Sequence, residues 1–308
     1  MYMNVSIITI NYNSSEYTIK LVNSILNKVS KNITYEIIIT DNASESDDYN
    51  NLITKLPNDK KIKLLKSTKN TGFSGGNMNG FKNSSGKYLL FINNDCECMN
   101  DIIEPLINFI EKDKSIGLLT GKVVGNDGKY GSSHCLFPCL SKNIFGTGMS
   151  RLLNKNKFVS PKKPVIKPIK VEVVSGAFMF FDRNVFEDIN GFNTQFFLYC
   201  EEEDISKRVW DTGKNVYMIP EPEVVHAHGG SSDSSHDIAN EYYISYKKLI
   251  FIHYNIFYAS IMLLLMYLNI LGKIVRLKAR LSLVKLALLG FPERCSLRYK
   301  QKKINSDT

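Results

Sequence analysis

Five short runs in the first 125 residues are almost wholly apolar or β-branched: NVSIITIN (4–11), YEIIIT (35–40), IKLLK (62–66), KYLLFIN (87–93) and SIGLLTGKVV (115–124). Unbroken apolar runs of this length suit strands buried on both faces, as in a parallel sheet covered by helices. Helix-patterned stretches separate them at 15–26, with Ser14 or Ser15 as N-cap, and at 46–56, 74–82 and 101–111. Such alternation predicts an open α/β sheet, which binds its ligands at the carboxyl ends of the strands. The chemistry is therefore expected where each run stops.

The second half is less regular. Residues 125–168 are rich in Gly, Ser, Asn, Lys and Pro, and read as a mobile, substrate-specific loop region. Regular patterning returns with KVEVVSGAFMFF (170–181), helices at 184–189 and from about 202 to 211, and strands at 215–220 and 222–228. Residues 249–272 carry no formal charge, and as a helix rising ~1.5 Å per residue they are long enough to cross a hydrocarbon core. The net charge of +9 is concentrated behind them: residues 273–308 hold ten Lys or Arg against two acids, a net of +8, which leaves +1 for the other 272 residues. A near-neutral body with a basic tail argues against nucleic acid and for a membrane surface. The six cysteines are sparse, and no basic n-region with a small-residue cleavage site opens the sequence, which favours a reducing cytoplasmic setting. Cys96 and Cys98 are spaced too tightly for half a zinc site, so the thiols read as buried or incidental.

Several strand ends carry polar groups. The first two runs end in Asn11-Tyr12 and Asp41-Asn42, which can meet a nucleobase or equally cap a turn. NTGFSGGNMNG (70–80) opens a helix with Gly72, Gly75 and Gly76, where a diphosphate could lie against the helix N-terminus. Asn93-Asn94-Asp95 ends a buried strand and offers a hard divalent cation one carboxylate, with an amide as neutral assistant. Glu201, Glu202, Glu203 and Asp204 crowd one helix start, which the helix dipole favours and which raises the pKa of any one of them toward that of a general base. His226 and His228 share one strand face before Gly229-Gly230, and either could be a metal or phosphate ligand.

Taken in order, the segments TINYN, TDNAS, NTGFSGGNMNG, INND, SGAFMFFDRNVFEDINGF, FFLYCEEED and VVHAHGGSS resemble glycosyltransferase family 2 enzymes with the GT-A fold, over residues 3 to about 235. Within that family the series is similar to the rhamnosyltransferases of bacterial surface polysaccharide assembly. The resemblance implies a mostly parallel Rossmann-like sheet with flanking helices, and the apolar run at 249–272 adds a helical membrane-associating segment behind it. Residues 1–235 would form the catalytic domain and 236–308 a membrane-associating region. Asn11, Asp41 and Asn42 would hold base and ribose, while Gly72, Phe73, Gly75, Gly76 and Asn77 line the nucleotide. Asn93 and Asn94 precede Asp95 in the place of the family's D-x-D metal motif, with Asn93 where the first Asp is usual. Gly176 and Ala177 would sit beside the sugar, and His226 or His228 would help bind Mg2+ or Mn2+. Glu201-Glu202 replaces the usual Glu-Asp pair, so Glu202 aligns with the catalytic base, with Asp204 orienting it or touching the acceptor.

The implied reaction is an inverting transfer from a nucleotide diphosphate sugar, rhamnose as first guess, to a lipid-linked glycan. A membrane-bound scaffold that binds nucleotide sugar without catalysis is the alternative, motivated by the Glu at the base position. Nucleotide sugars are cytoplasmic, and the positive-inside rule also places the basic tail there. One crossing by 249–272 cannot satisfy both, so the expected location is the cytoplasmic face of the membrane. The apolar segment would be re-entrant or interfacial, with LSLVKLALLGF (281–291) as a second amphipathic element.

Overall fold

The computed structural model describes residues 4–131, 133–140, 164–227, 236–276 and 281–301. Along β1 (Val5–Asn11), Val5 and Ile7 enter one apolar cluster and Ile8 enters another on the opposite face of the sheet. β2 (Tyr35–Asp41) divides in the same way, with Ile37 and Ile39 on one face and Ile38 on the other. Burial on both faces is why these runs lack the polar alternation of a half-exposed strand. Helices α1 (Ser15–Lys28), α2 (Ser46–Lys55) and α4 (Glu104–Ile110) cover the first face with Leu21, Val22, Leu52 and Leu106. The second is covered by α3 (Gly72–Lys82), α5 (Arg183–Asp188) and α6 (Glu201–Asp211), through Phe186, Ile205 and Val209.

The remaining strands are β3 (Ile62–Lys66), β4 (Tyr88–Ile92), β5 (Cys96–Cys98), β6 (Ile116–Gly125), β7 (His134–Cys135), β8 (Ile169–Lys170), β9 (Val173–Val174), β10 (Phe178–Asp182) and β11 (Asn215–His226). The main sheet runs β3-β2-β1-β4-β10-β6-β11-β5, with β8 also on β11. The strands β1 to β4, β6 and β11 point one way, while β10 runs antiparallel between β4 and β6. This is the mostly parallel α/β architecture the sequence implies.

Several elements differ from expectation. The run at 170–181 is broken into β8, β9 and β10, with Ser175-Gly176-Ala177 forming the turn between the last two. The two strands expected at 215–220 and 222–228 are one strand, because a register shift between Met218 and Glu223 absorbs Pro220 and Pro222. Only the edges of the loop region at 125–168 are described, and residues 141–163 lie outside the described residues. The charge-free segment is not one helix. α7 (His236–His253) ends at the segment's fifth residue, and α8 (Ile256–Val275) starts afresh with the Asn255 side chain accepting from the Tyr258 N–H at 3.0 Å. α9 (Leu281–Leu288) follows, and these three helices share a third apolar cluster built on Phe196, Leu249, Ile250, Met262, Leu286 and Phe291.

Candidate active site

Parallel pairing sets Asn11 beside Asp41 at the ends of β1 and β2. The Asn11 amide shares its N–H groups among Asp41 Oδ1 (2.9 Å), Ser44 Oγ (3.1 Å) and Asp48 Oδ2 (2.9 Å), while its oxygen accepts from Thr18 Oγ1 at 2.7 Å. The other Asp41 oxygen accepts the Ser44 N–H at 3.2 Å. Both side chains are fully buried, so Asn11 is a post that fixes Asp41 from behind. Tyr12, the next residue, is exposed and is the ring a base can meet on this side.

The glycine-rich helix start is already closed by protein. Gly72 adopts φ +74°, and a Cβ there would collide with the Phe197 carbonyl oxygen, which accepts the Phe73 N–H at 2.8 Å. Asn42 locks the same turn: its amide donates to Asn70 Oδ1 (2.9 Å) and the Gly72 carbonyl (3.1 Å), and its oxygen accepts from the N–H and hydroxyl of Thr71. The Phe73 ring packs edge-on to Phe192, Gly75 and Gly76 lie against Thr71 and Ile10, and Asn77 is buried on α3. The segment thus seats α3 on the sheet, and Asn42 and Phe73 are spent on that scaffold rather than presented to a ligand. Gly72→Ala combines left-handed strain with a backbone collision and is expected to cost about 2–4 kcal/mol. Thermal unfolding should show a midpoint lowered on the order of 5–10 °C.

At the end of β4, Asn94 turns away from the strand-end cleft, donating to Ser14 Oγ (2.7 Å) and Thr18 Oγ1 (2.9 Å) in α1. Ser14 therefore holds Asn94 instead of capping its own helix. Asn93 stays at the cleft, half-buried, with its N–H bonded to the Ala177 carbonyl at 3.0 Å. Antiparallel pairing of β5 with β11 sets His226 opposite Cys96, and His226 Nε2 lies 3.0 Å from Asp95 Oδ1. Apart from that imidazole, the buried oxygen has no hydrogen-bond partner among the described residues, which leaves it capacity to bind a cation. Asp95, Cys96 and His226 bring their ligand atoms within 4.8 Å of one another. Burial pushes the Cys96 thiol well above its ordinary value, so it stays protonated and is a poor ligand. An oxygen from Asp95 and a nitrogen from His226 fit Mn2+ or Mg2+. His228 lies outside the described residues.

Opposite stands the start of α6. Tyr199 and Cys200 both have left-handed backbones, φ +69° and +67°, which is strained for residues with side chains and aims the helix's first carboxylates. Glu201 is buried with Oε2 lacking a hydrogen bond; burial, then the charge of Glu203, pushes its carboxyl up to about 8. Glu202 is half-buried and raised well above the glutamate range by burial, then by Glu203 and Glu201. A Cβ on Gly176 would touch the Glu202 carboxylate at 3.8 Å, so β10's leading turn leaves that carboxylate open space. Gly176 adjoins Ala177, whose carbonyl holds Asn93, so the acidic helix and the Asp95 strand end face one cleft. Asp204 faces elsewhere. It pairs with Arg208 Nη2 at 2.6 Å and His253 Nε2 at 2.8 Å, while Arg208 also donates to the carbonyls of Ile189 and Gly191. Asp204 is a buried strut, and its expected contact with the acceptor is replaced by this link to α7.

The family model for glycosyl transferase family 2 matches residues 6–189 of this chain. The chain belongs to glycosyltransferase family 2. Among similar proteins, polypeptide N-acetylgalactosaminyltransferase 5 of Caenorhabditis elegans is 22% identical over 219 residues, 68% of this chain and 34% of that protein. Rhamnosyltransferase WbbL of Escherichia coli K12 is 26% identical over 148 residues, 47% of this chain and 54% of that protein. This glycosyltransferase thus spans about a third to a half of these relatives. Its fold matches that of GalNAc-T7, solved with UDP, GalNAc and Mn2+, with TM-score 0.57 at 18% identity, covering 82% of this chain and 48% of that one. The GT-A assignment rests on that likeness and on the sheet order.

For a family 2 glycosyltransferase, the strand ends hold the residues the sequence singles out, but with divided labour. Asp95, Gly176, Glu202 and His226 gather at the strand ends with Glu201 buried beside them, whereas Asn11, Asp41, Asn42, Phe73, Asn94 and Asp204 are taken up by contacts within the protein. Sequence patterning passes over the bracing partners Thr18, Asp48, Phe197 and His253. Asp48 shows as an acid in a first helical turn, and the others leave no local signal because their partners are remote in sequence.

Proposed function

We propose that the enzyme transfers a sugar, rhamnose as first choice, from a nucleotide diphosphate donor to a lipid-linked glycan in surface polysaccharide assembly, with inversion at the anomeric carbon. The observation that carries this reading is the Glu202 carboxylate, raised in pKa and lying beside Gly176, whose neighbour Ala177 holds the strand end that leads to Asp95 and His226. The acceptor hydroxyl approaches Glu202, which takes its proton as the oxygen bonds to the anomeric carbon. The bond from that carbon to the diphosphate breaks with its electron pair leaving on the phosphate oxygen. When bound at Asp95 and His226, a divalent cation supplies positive charge to the departing diphosphate. Gly176 keeps the space beside Glu202 free for the sugar and the attacking hydroxyl.

Rhamnose and the glycan acceptor are supported by the motif series and by the likeness to WbbL, set against N-acetylgalactosaminyltransferases at similar identity. A panel of nucleotide sugars offered to purified protein with Mn2+ separates them. Preferential hydrolysis of a deoxythymidine diphosphate rhamnose donor is the expected result. Preference for uridine diphosphate N-acetylgalactosamine would overturn the donor, and hydrolysis of none would favour a non-catalytic scaffold.

A further inference from the structure

The face of α8 turned away from the protein carries Phe257, Ile261, Leu264, Leu268, Leu271 and Val275, spaced four and three residues apart in alternation and all exposed. Phe257 is 80% and Val275 76% exposed, and α9 adds Leu281 and Leu288, the latter 83% exposed. An apolar stripe of this length on a soluble protein marks a docking surface. Its surroundings carry one sign of charge. No Asp or Glu occurs from residue 249 to 292, while Lys273, Arg276, Lys278, Arg280 and Lys285 fall within that stretch. Of the described cations among these, Lys273, Arg276 and Lys285 are exposed.

The opposite face of α8 fixes the geometry. Ala259, Met262, Met266 and Ile270 are buried in the cluster shared with α7, and Lys273 Nζ donates to Tyr243 on α7 at 2.9 Å. α7 is in turn bound to the catalytic body. Ser245 donates to the Leu198 carbonyl, Lys248 to the Gln195 carbonyl, each at 2.8 Å, and His253 meets Asp204 on α6. An α8 that crossed a bilayer would draw α7 and these polar contacts into hydrocarbon, which removes their solvent without replacing it.

We propose that α8 and α9 dock this glycosyltransferase in the plane of an anionic bilayer, with the exposed α8 stripe among the acyl chains and the cations on the headgroups, and that α8 does not span the membrane. The stripe begins four residues after His253, which touches the catalytic helix. Docking thus brings the start of α6 to the membrane surface, where the sugar end of a lipid-linked acceptor stands. The proposal stands on the helices alone and does not require the donor assigned above.

The test is co-sedimentation of the full chain with vesicles of phosphatidylcholine, with or without phosphatidylglycerol. The wild type should bind the anionic vesicles at least about tenfold better than neutral ones and lose this advantage in high salt. The double variant Leu264→Glu, Leu268→Glu alters only exposed positions and should lose at least about tenfold of the binding, with its thermal unfolding and donor hydrolysis unchanged. Arg276→Glu with Lys285→Glu should remove the preference for anionic vesicles. Bound protein should be released by alkaline carbonate. Failure of the wild type to bind, binding undiminished in the leucine variant, or retention through carbonate would each overturn the proposal. So would a dimer in solution that Leu264→Glu dissociates, since a second copy would then cover the face.

Discussion

Replacing Glu202 by Gln is expected to lower sugar transfer about 10²–10⁴-fold, the usual contribution of a positioned general base, while the donor binds as before. The exchange keeps the side chain's shape beside Gly176 and removes its ability to take a proton. An ordinary glutamate releases its proton near 4.5, whereas burial, then the charge of Glu203, holds Glu201 and Glu202 protonated to higher pH, with Glu201 pushed up to about 8. A protonated carboxyl cannot accept another proton, so the base fills as the cluster ionises. Transfer by the wild type should therefore climb as pH rises above the ordinary glutamate range, and the Gln variant should lose that rise. Single-turnover rates across this pH range, with donor affinity measured separately, check both points. Unchanged transfer and an unchanged profile would place the base elsewhere.

Asp95→Ala should cost about a hundredfold or more in turnover, because it deletes the carboxylate oxygen available to a cation whose charge stabilisation is worth several kcal/mol. The loss should match that of the wild type in chelator, and calorimetric titration with Mn2+ should show binding in the wild type and none in the variant. His226→Ala should weaken Mn2+ without abolishing it, since Asp95 remains. Full wild-type turnover in chelator would remove the metal from the reaction.

The sheet was legible because its strands are buried on both faces, which leaves unbroken apolar runs, and because parallel strands deliver their polar ends to one edge. Asp41 and Asp95 could be found for that reason, and Glu202 by the four acids crowded at one helix start. What escaped notice depends on pairing across long separations. β5 is three residues, Cys96 to Cys98, ordered by the far end of β11 and by Ser24 of α1. Two prolines masked the continuity of β11, since a bulge that tolerates them has no signature of its own. The glycines at 72–76 suggested a phosphate cradle, yet the same absence of Cβ serves close packing against Ile10 and Phe197, and sequence alone does not separate the two uses. The charge-free run reads as one helix because Asn255 becomes a helix cap only once the chain turns there.

The carbonyl of Phe197 that closes the start of α3 has a bearing on synthesis. Residues 70–80 leave the ribosome long before their partner exists, 124 positions later along the chain. At about 5–20 residues per second that interval is roughly 6–25 s. Until then the nascent nucleotide half has β1 to β4 but an unsealed helix end. Phe197 lies just before the strained turn at Tyr199 and Cys200, so a chain that stops short of residue 197 lacks both.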